Sequence, residues 1–124
     1  MLTLEEIKKI MVDLGSKIGI NKDSKEYQLF SETEDVFSEG ISIYVDDKKY
    51  HYVTKERGQI IKEVDSVDID DILYEIFKSI TANIARSYEI NHRDNSKDTR
   101  RIWFQKQLDL LDKINPKFEK RRKK

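Results

Sequence analysis

The sequence predicts an α+β fold: an N-terminal helix, a three-stranded antiparallel meander, then a long antiparallel helical pair packed on the sheet and a short basic C-terminal helix. Three observations carry this reading. Apolar residues recur at spacings of three and four near both ends of the chain, they alternate in period two between residues 41 and 64, and polar turn residues separate the two regimes. At 124 residues one domain is expected, residues 1–116, followed by 117–124 as a basic tail.

Thr3 with Glu6 forms a capping-box pattern, and Leu4, Ile7, Ile10, Met11 and Leu14 follow at helical spacing, so helix one should run from about Leu4 to Lys17 and stop near Gly19. Residues 26–39 have no clear period. They hold five acids, no base and the aromatics Tyr27, Phe30 and Phe37, which reads as a long loop or a ragged edge strand. "ISIYV" (41–45) and "YHYVT" (50–54) alternate on either side of the turn "DDKK", pairing Val45 with Tyr50 and Ile43 with Tyr52. Parity then puts Ile41, Ile43, Val45, Tyr50 and Tyr52 on the core face and turns Tyr44, His51 and Val53 outward. In "ERGQ", Gly58 supplies the residue able to take positive φ, before a third strand at 60–64. Asp68 can cap a second helix whose apolar stripe, Ile69 to Ile84, extends it to about Asn91. A third helix from about Lys97 to Lys113 carries Trp103, Phe104, Leu108, Leu111 and Ile114 on its buried side. Asn115-Pro116 then starts a frayed basic helix.

Composition excludes several function classes. The chain has no cysteine, so disulfides and thiolate metal sites are ruled out, and nothing points to an oxidising compartment. "MLTLEEIKKIMVDLG" has acids at positions 5 and 6 and no uninterrupted apolar run, so neither a signal peptide nor a membrane span is expected, and the cytoplasm is the expected location. The neutral total hides polarity: residues 1–66 hold 10 Lys/Arg against 14 Asp/Glu, and 67–124 hold 14 against 10. Such asymmetry steers partners.

No spacing frames a catalytic centre. The two histidines, His51 and His92, lie apart, no HExxH or EF-hand pattern surrounds the carboxylates, and no serine sits in a nucleophile elbow. No enzyme activity, catalytic residue, cofactor or metal is expected. Arg86, Arg93, Arg100 and Arg101, with six basic residues among the last eight, raise nucleic-acid binding through the tail as an alternative, which the interspersed acids weaken. Two surfaces suit a protein partner: the outward patch of Tyr44, His51, Val53 and Arg57, and the acidic-aromatic loop with Glu32, Glu34 and Asp35, which matches a basic site. The plain reading of each is an exposed strand face and a solvated loop.

Several runs are familiar together: Tyr50-His51-Tyr52 with Glu56-Arg57-Gly58-Gln59, and Asp98-x-Arg100-Arg101 with Phe104-x-Lys106-Gln107-Leu108. In sequence and order, from Leu2 through Phe118, the chain resembles the bacterial polymorphic-toxin immunity proteins of the immunity protein 63 family. Here Asp46-Asp47-Lys48-Lys49 fills a turn often glycine-rich in relatives. The resemblance implies a non-catalytic cytoplasmic inhibitor that binds the catalytic domain of a cognate toxin, at its active site or an exosite. Homo-oligomers are compatible with it. Colicin DNase–immunity pairs show that such contacts can approach limiting affinity.

Overall fold

The capping box forms as read: the Glu6 N–H donates to Thr3 Oγ1 at 3.2 Å and the Thr3 N–H to Glu6 Oε1 at 3.1 Å. Helix α1 follows as Leu4–Ser16, with Gly19 at φ 85° in the turn beyond it. The computed structural model describes residues 1–31, 40–91 and 99–124, grouped in two compact units, Met1–Glu75 and Ile76–Lys124. Among the described residues no helix is long and apolar enough to cross a membrane.

In the first unit α1 buries Ile7 and Met11 and is tied to the 3-10 turn Lys25–Leu29 by the Tyr27 hydroxyl, which donates to the Met11 carbonyl at 2.7 Å. Burial, with a smaller push from Glu26, raises the Tyr27 phenol to about 12, so it stays a donor. Gly15 makes this contact possible, because a Cβ there would overlap the Tyr27 hydroxyl and come within 2.8 Å of Ile20. That overlap outweighs the ~1 kcal/mol of helix propensity an alanine would add. Gly15→Ala should therefore lower stability by about 1–2 kcal/mol in chemical denaturation, and an unchanged or raised midpoint would contradict this contact.

The sheet corrects the three-stranded expectation. It has four strands in the order β1-β2-β3-β4: β1 Phe30–Ser31, β2 Gly40–Val45, β3 Tyr50–Glu56 and β4 Gln59–Ser66. The meander is present as β2-β3-β4, and the extra strand pairs parallel to β2, Phe30 opposite Ile41 and Ser31 opposite Ser42. A two-residue strand has too few residues to show alternation, so no period announces it. Segment 26–39 is thus a 3-10 turn and an edge strand as far as Ser31, and its remainder, 32–39, lies outside the described residues.

The β2–β3 register is the one expected, Val45 with Tyr50 and Ile43 with Tyr52. Tyr50 and Tyr52 are core residues, and the Tyr50 hydroxyl accepts the Leu2 N–H at 2.7 Å, fastening the chain start to the sheet. The outward face is a second correction. Val53 is only 1% exposed and His51 9%, with Ser42 and Lys55 also buried, so both faces of β3 are covered. Alternation places side chains on faces but does not say which face meets water.

The β3–β4 hairpin turns at Arg57 and Gly58, with φ of 52° and 77°, between the paired Glu56 and Gln59. Positive φ at both central residues is the type I′ geometry that matches strand twist. Farther along, Lys55 pairs with Ile60 but Thr54 pairs with Lys62, so Ile61 is an extra residue, a β-bulge in β4. Without it, the pairing that sets Glu56 opposite Gln59 would set His51 opposite Val64. The bulge shifts the phase by one, and Asp65 comes opposite His51 instead.

Helix α2 is Ile69–Asn91, and the Asp70 N–H donates to Asp68 Oδ1 at 2.9 Å, the cap read from sequence. Lys62 Nζ donates to Glu75 Oε2 at 2.7 Å, joining β4 to the first turns of α2. In the second unit α3, Thr99–Ile114, runs antiparallel to the rest of α2: Gln107 reaches Lys78 and Thr81, while Trp103 lies under Arg86 at 5.8 Å. Leu108, Leu111 and Ile114 are buried as expected, together with Leu110, whereas Trp103 and Phe104 are only half-buried. Asn115 caps α4, Pro116–Lys123, with proline at its first turn. This helix was expected to fray, but Phe118 is buried and Arg122 Nε donates to Gln107 Oε1 at 3.2 Å.

Candidate functional site

The bulge assembles a charged cluster on β3 and β4. His51 Nδ1 lies 2.6 Å from Asp65 Oδ1 and Nε2 lies 2.6 Å from Asp46 Oδ2. An imidazole donates from both nitrogens only when protonated, so two flanking carboxylates select the imidazolium. Asp46 is itself held, since its Oδ1 accepts the N–H groups of Lys48 and Lys49, both at 2.8 Å, in the turn between β2 and β3. An Asx turn here does what glycines do elsewhere, closing the hairpin without positive φ at its first residue. Tyr44, opposite His51 in the register, stacks on the imidazole with ring centroids 4.6 Å apart and planes 17° apart. Glu63, two residues before Asp65 and therefore on the same face of β4, completes a group with His51 and Asp65 whose ligand atoms lie within 4.8 Å of one another.

These contacts fix the ionisation. Burial pulls the His51 pKa down, but the hydrogen bonds and charges of Asp65 and Asp46 more than offset it, and the net position is above the ordinary imidazole value. The Lys48 and Lys49 N–H groups, and then His51, lower Asp46 to about 2. A raised histidine stabilises the fold fully below its unfolded pKa of about 6.5 and loses that contribution as pH rises through the folded value. Asp46 acts in the opposite sense, its contribution being lost as pH falls toward about 2. His51→Gln should therefore cost most stability near pH 5–6 and progressively less above neutrality. A cost that does not change between pH 5 and pH 9 would show that His51 is not held as the cation.

A second feature lies on the exposed side of the same hairpin. β4 is an edge strand that pairs only with β3 among the described residues, and its start exposes Ile60 (54%) and Ile61 (58%) beside Arg57 at the tip. A non-glycine residue at φ 52° is a strained position, held here by the turn that presents the Arg57 side chain. Adjacent exposed isoleucines next to an arginine, on a strand at the sheet edge, give the apolar and cationic character that protein interfaces favour.

The residues singled out from sequence are separated by this geometry. Tyr44 is half-buried on His51, His51 and Val53 are interior, and Arg57 is exposed. Glu32, Glu34, Asp35 and Asp98 lie outside the described residues. Of the runs that carry the family resemblance, Tyr50, Tyr52, Gln107 and Leu108 are core, and Gly58 makes the turn between exposed Glu56 and Gln59. Phe104 carries Arg122 at 4.8 Å over its ring, Lys106 sits 4.7 Å over Tyr88, and Arg100 and Arg101 are exposed. The sequence reading missed the partners of His51, because counting back from Gly58 without a bulge puts Asp65 on the wrong face. Ile60 and Ile61 were missed because two apolar residues opening a strand look like core.

A family model described as Immunity protein 63 matches residues 46–124, from the Asp46 turn through the end of α4. The resemblance drawn from Leu2 onward is thereby carried over the hairpin and the helices, while α1, β1 and β2 lie outside the match. No curated protein and no solved structure matches the chain.

Proposed function

The chain belongs to the immunity protein 63 family, and from that premise we propose that it binds and neutralises a cognate bacterial polymorphic toxin by protein–protein contact, in the cytoplasm and without catalysis. The family match carries this reading. Support from the site is physical: both nitrogens of His51 are occupied by carboxylates, which leaves it no free lone pair to act as a general base. The contact surface we propose is the β3–β4 hairpin tip, with Ile60 and Ile61 as apolar anchors and Arg57 beside them. The outer edge of β4, which pairs with no strand among the described residues, also offers its backbone groups for strand addition. The acidic residues Glu32, Glu34 and Asp35 would add electrostatic steering toward a basic toxin site.

The basic tail gives nucleic-acid binding no comparable support. Arg122 is engaged by Gln107 and Phe104, and Lys123 pairs with Glu119 at 2.5 Å. The direct test is co-expression with the product of the neighbouring gene. We expect the two chains to copurify and host cells to survive the toxin, whereas survival that does not depend on this chain would overturn the proposal.

A further inference from the structure

We propose that His51, Glu63 and Asp65 form a binding site for a divalent transition-metal ion of the zinc class. The three residues supply one imidazole nitrogen and two carboxylate oxygens, all within 4.8 Å of one another. Mixed nitrogen and oxygen donors suit zinc, whereas calcium and magnesium take oxygen alone. Tetrahedral zinc with bonds of about 2.1 Å sets its ligand atoms about 3.4 Å apart, so Asp65 Oδ1, at 2.6 Å from Nδ1, must move outward, and any pair near the 4.8 Å limit must close. Glu63 and Asp65 are exposed enough to make that movement, while His51 is fixed by burial and by Tyr44.

Asp46 gives the cluster the further part that a metal site needs. A ligating histidine ordinarily donates its other ring N–H to a carboxylate, which sets the tautomer and aims the metal-binding nitrogen. Asp46 Oδ2 holds that position at 2.6 Å from Nε2, and the backbone of Lys48 and Lys49 holds Asp46. Nδ1 is thereby aimed at Asp65 and Glu63, and the metal takes the place of the Nδ1 proton, which leaves to solvent. Charge favours the exchange. Three carboxylates around one imidazolium sum to −2, and around a neutral imidazole with a divalent ion to −1. The protein supplies three ligands, so the remaining coordination position is open to water or to a donor from a bound partner.

Full-length chain, stripped with chelator and dialysed, should bind zinc chloride at one site per chain in calorimetry, and cobalt chloride should give visible d–d absorption. Glu63→Gln is the informative variant, because Glu63 is exposed and takes no part in the hydrogen bonds that hold His51. It should weaken zinc binding at least about 10-fold with the melting temperature of the metal-free protein unchanged. Asp46→Asn should weaken it about 10- to 100-fold through the histidine's orientation. His92→Ala should leave it unaltered. Absence of saturable zinc binding up to about 100 μM total metal would overturn the site, as would binding that survives Glu63→Gln or is lost in His92→Ala.

Discussion

Replacing both Ile60 and Ile61 by lysine should weaken binding of the cognate toxin at least about 100-fold, which is ~2.8 kcal/mol. The two side chains are more than half exposed and lie on a strand with one neighbour among the described residues, so their removal takes little from the fold. Surface substitutions of this kind change stability within about ±0.5 kcal/mol, and the lower β-propensity of lysine adds a fraction of that. At an interface the same positions count for far more. Each isoleucine buried by the partner contributes about 1.5–3 kcal/mol, and a lysine in its place must be desolvated. Against a basic toxin surface the added charges also repel. Calorimetry on wild type and variant checks the effect, with thermal melts alongside. Unchanged affinity in a folded variant would move the contact surface away from this hairpin.

Gln107→Ala should lower stability by about 3 kcal/mol, or a melting temperature drop on the order of 10 °C. Gln107 is 1% exposed in the middle of α3, and both its amide nitrogen and its amide oxygen are hydrogen-bonded. Its Nε2 donates to the Lys78 carbonyl at 3.0 Å and to Thr81 Oγ1 at 3.3 Å, while its Oε1 accepts from Arg122 Nε at 3.2 Å. One side chain thus ties α3 to both α2 and α4. Alanine removes these bonds and leaves a cavity, two costs that add. Methionine keeps the volume and loses only the bonds, so Gln107→Met should cost about 1–1.5 kcal/mol. Equal losses in the two variants would show that hydrogen bonding, not volume, is what Gln107 provides.

The helices were legible in the sequence because their signals are local. Thr3 and Glu6, Asp68, and Asn115 with Pro116 each mark a terminus by the chemistry of orphan N–H groups, and all three caps are present. The β2–β3 register was equally accessible, since parity and a short polar turn leave one pairing that keeps Ile43 and Tyr52 together. What could not be read were features set by more than one segment. The bulge at Ile61 reverses the face of everything after it in β4, and with it the identity of the groups around His51. Burial of Val53 depends on what covers a face, which alternation along one strand does not encode. Gln107 lies within a run that carries the family resemblance, but a buried glutamine with three partners from two other helices has no local signature.

The central claim concerns the toxin. The most direct measurement is calorimetric titration of this chain into the purified catalytic domain encoded by the neighbouring gene, with the toxin's activity followed in parallel. The proposal predicts saturable association tighter than about 1 μM (~−8 kcal/mol), together with loss of toxin activity at saturation. Weaker association, or full toxin activity in the saturated complex, would contradict it.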